Sequence, residues 1–127
     1  VRLTISVMIA RPRPPSTDWA AGASGYAFPS GHTTAATIAA ALMAWLITQR
    51  PTFSRPNAML VWGLAAVVAV TVGITRIYLG VHWPTDVIGG WALGVTWAIQ
   101  GIIVIRRWQR HAAAGQEATK STISPDE

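Results

Sequence analysis

Two histidines, an aspartate and a few arginines carry most of the chemistry this sequence can offer, and their spacing groups them. Pro29-Ser30-Gly31-His32 is one cluster; Arg76, His82 and Asp86 form another, with five residues between the first two and three between the last two. Arg11-Pro12-Arg13-Pro14 precedes both. The set suits attack on a phosphate group. One imidazole can act as nucleophile, a carboxylate can orient it, a second imidazole can serve as acid, and guanidinium groups can hold phosphate oxygens.

Each piece has a physical rationale and a plainer alternative. Pro84 lies between His82 and Asp86, and proline favours the first turn of a helix. Asp86 is then expected in that first turn, where the helix dipole favours a carboxylate. Accepting a hydrogen bond from one nitrogen of His82, it would leave the other free as a nucleophile. The alternatives are an interfacial hydrogen-bonding histidine and a buried Arg76–Asp86 ion pair. Ser30 suits a helix N-cap, and free N–H groups at a helix start bind phosphate. Gly31 allows close approach of a ligand, Ser30 offers a hydroxyl, and His32 can protonate a leaving oxygen. An ordinary capping turn is the other reading. Arg11 and Arg13 are candidate phosphate clamps, because the planar guanidinium fork matches phosphate oxygens; otherwise they are solvated charges at a juxtamembrane proline stop.

The elements that must position these groups are membrane helices. The chain has 127 residues, 51% of them hydrophobic and 12% charged. Soluble domains average about 25% charged, so too little charge is present to solvate an ordinary surface. Apolar helices are expected over 30–49, 58–75 and 84–105, each close to the length that crosses a hydrocarbon core of about 30 Å. Residues 1–10 read as the end of a helix whose start is missing, 16–28 as a loop, and 50–57 as a short loop with two arginines and two prolines. Gly90 and Gly94 make a GxxxG pair, either a site of close helix approach or the ordinary glycine content of membrane helices. The domain is expected to occupy 1–110, with 111–127 a disordered polar tail.

Charge sets the expected orientation. Arg50 and Arg55 follow the first span, and Arg106, Arg107 and Arg110 follow the third. With three spans these ends share one side, which the positive-inside rule makes cytoplasmic. Both histidine motifs then face the extracytoplasmic side of a multi-pass cell-membrane protein. Arg11, Arg13 and Arg76 violate that rule, and an anionic ligand would account for them. Net charge is +5, but the basic residues flank apolar runs instead of forming one patch, so no nucleic-acid partner is expected. Cysteine is absent and the three histidines are scattered, which excludes disulfides and thiolate chemistry and makes a poor zinc set.

Taken together, these residues resemble the type-2 phosphatidic acid phosphatase superfamily, which includes membrane lipid phosphatases and soluble vanadium haloperoxidases. The family pattern has a lysine six residues before Arg-Pro, then Pro-Ser-Gly-His, then Ser-Arg followed by His and Asp at the spacing seen here. The second part is complete at Pro29 to His32; the third is present as Thr75-Arg76, His82 and Asp86, with threonine replacing serine. The first is partial: Arg13-Pro14 matches, the lysine position falls on Ser6, and Arg2 is not at the family spacing.

The resemblance implies an all-α membrane bundle, the C-terminal half of a six-span phosphatase, with the chain truncated at its N-terminus. It implies that His82 attacks phosphorus to form a phosphohistidine, Asp86 orients His82, and His32 protonates the leaving group. Arg13, Arg76, Ser30 and the Gly31 amide would hold the phosphate oxygens, with no metal or other cofactor. The implied substrate is a lipid phosphate: a polyprenyl diphosphate, phosphatidic acid or phosphatidylglycerol phosphate. A vanadate-holding haloperoxidase relative and an inactive, truncated membrane protein with an interaction role are the competing readings.

Overall fold

The computed structural model describes residues 1–50 and 53–123, with side chains as far as residue 116. The described residues form four helices, α1 (Arg2–Ile9), α2 (Gly31–Thr48), α3 (Arg55–Tyr78) and α4 (Pro84–Ile123), with one 3-10 turn at Ser16–Asp18. No strand occurs among the described residues. The fold is all-α, and α2, α3 and residues Pro84–Gln116 of α4 are each long and apolar enough to cross a membrane.

Sequence dictates most of the boundaries. Ser54 caps α3 by accepting from the Asn57 N–H at 3.4 Å, with a proline in the first turn. The helix therefore begins a little before the expected residue 58. At its other end it continues through Arg76 to Tyr78, and Gly80, at φ 69°, turns the chain toward α4. Arg76 is thus in the last turn of a helix, not in the connector expected after residue 75, and a cation there complements the helix dipole. Pro51 and Thr52 of the expected 50–57 loop lie outside the described residues.

The largest departure is the end of α4. A stop near residue 105 and a disordered tail from 111 are expected; the structure carries the helix to Ile123. Residues 111–119, HAAAGQEAT, contain four alanines, a glutamine and a glutamate. Those types favour helix, Gly115 alone interrupts them, and no proline intervenes. Residues 124–127 lie outside the described residues.

Small residues set the packing. A Cβ at Gly90 would stand 2.9 Å from Cβ of Thr33, and one at Gly94 would stand 2.6 Å from Cβ of Thr37. The GxxxG pair is therefore the seam along which α4 meets α2. The threonines on that seam are buried, and their hydroxyls are satisfied locally: Thr34 Oγ1 donates to the Ser30 carbonyl and Thr37 Oγ1 to the Thr33 carbonyl, both at 2.8 Å. Across α3 and α4, Gly73 packs beneath Trp91, whose Nε1–H donates to the Ala69 carbonyl at 3.0 Å. Most of α3 is exposed, including Met59, Leu60, Val67 and Ile74, as suits a helix whose outer face meets hydrocarbon.

The site forms where α2 and α4 begin and α3 ends. Four hydrogen bonds lash this end together: Ser30 N–H to the Asp86 carbonyl (3.0 Å), Ala20 N–H to Leu79 (3.1 Å), Ala27 N–H to Arg11 (2.9 Å) and Trp83 Nε1–H to Pro12 (3.2 Å).

Candidate active site

Asp86 is fully buried in the first turn of α4, and each of its oxygens is engaged. Oδ2 accepts from the Trp83 N–H at 2.8 Å, so the side chain caps its own helix. Oδ1 lies 3.3 Å from Nη1 of Arg11. That guanidinium also donates to the Thr85 hydroxyl and stacks over the Trp83 ring. Arg11 is therefore an anchor for Asp86 and is not among the residues that line the cavity; the clamp role considered for it from sequence is not where the structure places it. Arg76 is also not the ion-pair partner of Asp86.

His82 sits directly above this carboxylate. Its Nδ1 is 3.6 Å from Oδ2 of Asp86, an electrostatic contact longer than a hydrogen bond, and is buried without a hydrogen-bond partner. Its Nε2 faces Nη1 of Arg13 at 3.2 Å. Arginine has only donors, so Nε2 must be the acceptor, and a neutral ring carries its proton on Nδ1, toward Asp86. Burial and the Arg13 charge push the His82 pKa below the usual 6.5, outweighing Asp86, which raises it. The result is a neutral imidazole with its lone pair on Nε2.

Arg13 is held rigidly. Nη1 donates to the Val81 carbonyl at 2.8 Å, Nη2 to Ser24 at 2.8 Å and Nε to Gly25 at 3.0 Å. Burial lowers its pKa and Asp86 raises it; an arginine stays protonated in either case.

These groups border an open cavity of about 990 Å³. Its wall includes Arg13, His82, Gly31, His32 and Arg76, together with Arg2 and the apolar Leu3 and Val7 of α1. Among the described residues, no carboxylate lines it. His32 is exposed at the start of α2, and Nε of Arg76 is buried without a partner. Of the expected residues, Arg13, Gly31, His32, Arg76 and His82 share this wall, whereas Arg11, Asp86 and Ser30 do not line it. Ser30 is fully buried behind the wall, its Oγ accepting from Thr33 Oγ1 at 3.0 Å. It neither lines the cavity nor makes a side-chain capping bond, because its backbone is fixed to Asp86 and its hydroxyl is taken by the threonine seam. Among the described residues, no three His, Asp or Glu side chains converge as a metal site would require.

Arg2 was missed by residue spacing. The signal was helical: Arg2 and Ser6 are four residues apart on α1, hence on one face.

The PAP2 superfamily profile matches residues 4–111. The chain belongs to the PAP2 superfamily. It is 42% identical over 72 residues to phosphatidylglycerophosphatase B of Bacillus subtilis, covering 57% of this chain and 36% of that protein. It is 42% identical over 69 residues to an undecaprenyl-diphosphatase of Sulfolobus acidocaldarius, covering 54% and 29%. Among solved structures it resembles the transmembrane PAP2-type phosphatidylglycerolphosphate phosphatase of B. subtilis, with a TM-score of 0.76 and 32% identity over 84% of this chain and 52% of that one. The chain thus spans about a third of the length of these curated PAP2 relatives and about half of the solved one. With three membrane-length helices and a transmembrane PAP2 neighbour, it is a membrane protein.

Proposed function

We propose that this protein hydrolyses the phosphomonoester or diphosphate of a lipid through a phosphohistidine intermediate. The observation that carries the reading is His82, its Nε2 held as an acceptor against Arg13, on the wall of a cavity lined by arginines and, among the described residues, by no carboxylate. Such a wall favours a multiply charged anion and offers it an imidazole nucleophile in His82.

The geometry supports a two-step displacement. A phosphate oxygen replaces His82 as the acceptor of Arg13 Nη1, which frees Nε2 beside phosphorus. Nε2 donates its electron pair to phosphorus as the bond to the leaving oxygen breaks. His32 delivers a proton to that oxygen, and Asp86 stabilises the charge arising on the His82 ring. Arg13, Arg76 and the Gly31 N–H take up the negative charge of the equatorial oxygens. A water, deprotonated by His32, then displaces His82 and releases inorganic phosphate. Ser30 supports the site from behind through Asp86 and Thr33.

A lipid substrate is favoured by the cavity's position at the helix ends and by the exposed Leu3 and Val7 on its wall, which offer apolar surface beside the arginines. The relatives named for phosphatidylglycerophosphate and undecaprenyl diphosphate supply the first substrates to try. Arg106 stacks over Trp45 at 5.9 Å near the far end of α2, so the basic termini lie opposite the site, and the positive-inside rule puts the cavity on the extracytoplasmic face of the cell membrane.

The test is phosphate release from phosphatidylglycerol phosphate, undecaprenyl diphosphate and phosphatidic acid by the detergent-purified protein. His82→Ala should abolish it, and His32→Ala should slow it by roughly 10²–10⁴-fold. Labelled substrate should leave acid-labile phosphate on the native chain. Absence of release from a folded native sample, or release that survives His82→Ala, would overturn the reading.

A further inference from the structure

Arg2 is a half-buried cation whose surroundings leave its charge unanswered. Its guanidinium lies flat on Gly31: a Cβ there would stand 3.1 Å from Nη1, 3.2 Å from Cζ and 3.6 Å from Nε. Among the described residues, no carbonyl or carboxylate accepts a hydrogen bond from it and no ion pair engages it. The location is electrostatically adverse for a cation. It adjoins the first turn of α2, the positive end of that helix dipole, and no acidic residue occupies that turn. Arg13 and Arg76 line the same cavity, and the wall has no carboxylate.

Three guanidinium groups and a helix N-terminus around one space repel one another unless an anion sits between them. Arg13 already commits four of its five N–H donors to backbone carbonyls and His82. Arg2 and Arg76 keep free donors, Arg2 at the α2 side of the cavity and Arg76 at the end of α3. Gly31 allows this close approach, since a Cβ at position 31 would stand 3.1 Å from Nη1 and press the guanidinium back by a few tenths of an ångström.

We infer that Arg2 is a phosphate-binding residue of this site, supplying from one turn earlier on α1 the cation absent at Ser6. This rests on the phosphate reading of the same cavity. Ser6 also lines the cavity and is buried. Helical side chains lean toward the helix N-terminus, so a lysine at position 6 would lie over the turn that carries Arg2. The two positions therefore address the same space, and either can fill it with one positive charge.

The experiment is calorimetric titration of the detergent-purified protein with inorganic phosphate, comparing the native chain with Arg2→Ala, Arg2→Gln and Arg2→Ala/Ser6→Lys. Helix content by circular dichroism is checked for each, and lipid-phosphate hydrolysis is assayed in parallel. Losing a charge-assisted contact should weaken phosphate binding by roughly 10- to 100-fold in the Ala and Gln variants, and Ser6→Lys should recover most of it. Native-like phosphate affinity in folded Arg2→Gln would overturn the inference, as would a loss that Ser6→Lys fails to repair or a native chain that does not bind phosphate. If Arg2→Ala fails to fold, Arg2→Gln decides. Phosphate binding that depends on Arg2 without hydrolysis of any lipid would instead overturn the proposed activity and leave the Arg2 assignment standing.

Discussion

Nη1 of Arg13 lies 3.2 Å from Nε2 of His82, and the same guanidinium is fixed by the carbonyls of Ser24, Gly25 and Val81. An obligate donor held against an imidazole forces that nitrogen to present its lone pair. The arrangement favours the neutral ring and holds it on the cavity wall beside Arg13.

The first prediction concerns protonation. Burial and Arg13 lower the His82 pKa, so the ring should remain neutral below the ordinary value of 6.5. In histidine-labelled protein, NMR should show the His82 resonance titrating below that value, and Arg13→Gln should move it upward. The sign for stability follows: the unfolded chain takes up a proton near pH 6.5 that the folded chain declines, so stability should fall as pH drops through that region. A His82 resonance titrating at or above 6.5 would contradict the geometry.

Arg11 anchors Asp86 from outside the cavity. Arg11→Ala leaves a fully buried carboxylate without its 3.3 Å partner. A charged hydrogen bond contributes about 1.5–3 kcal/mol. Solvent at the partly exposed Arg11 favours the lower end of that range. Thermal unfolding should report that loss. Because Arg11 touches Asp86 and not the cavity, kcat should fall more than KM changes; a pure KM effect would point to direct substrate contact.

The α2–α4 seam should tolerate no added volume. Gly94→Val inserts side chain where Cβ of Thr37 already stands, and overpacking of this kind costs about 1–3 kcal/mol. Gly63→Val is the control, since nothing lies within 4 Å of a Cβ at that site. Comparable melting temperatures for the two variants would rule out the seam.

Gly80 combines φ 69° with a Cβ direction that runs into the backbone carbonyl of Asp18. Gly80→Ala should destabilise by about 1–3 kcal/mol from strain, plus displacement of the loop that carries Val81 and His82. Gly25 has the same φ but open space around its Cβ, so Gly25→Ala should show the strain alone. Unfolding midpoints of the two variants separate the terms.

The sequence alone determined the parts whose causes are local. Low charge and unbroken apolar runs dictate membrane-length helices, because backbone polar groups in hydrocarbon must bond within the helix. Pro84 marks a helix start because capping acts over a few residues; the Ser54 cap acts as locally, but the apolar run alone puts that start at 58. The order of Pro-Ser-Gly-His and of Arg76, His82 and Asp86 pointed to phosphate chemistry, since each sits at a helix end. Only the tertiary structure decided which cation meets which group. Arg11 went to Asp86 and Arg13 to His82, although only Pro12 separates them, because the carbonyls of Ser24, Gly25 and Val81 bracket the Arg13 guanidinium. Ser30 turned inward because the α2–α4 seam claimed its hydroxyl. Arg2, off the family spacing, reached the cavity because a helix brings residues four apart to the same face, a relation set by three-dimensional periodicity.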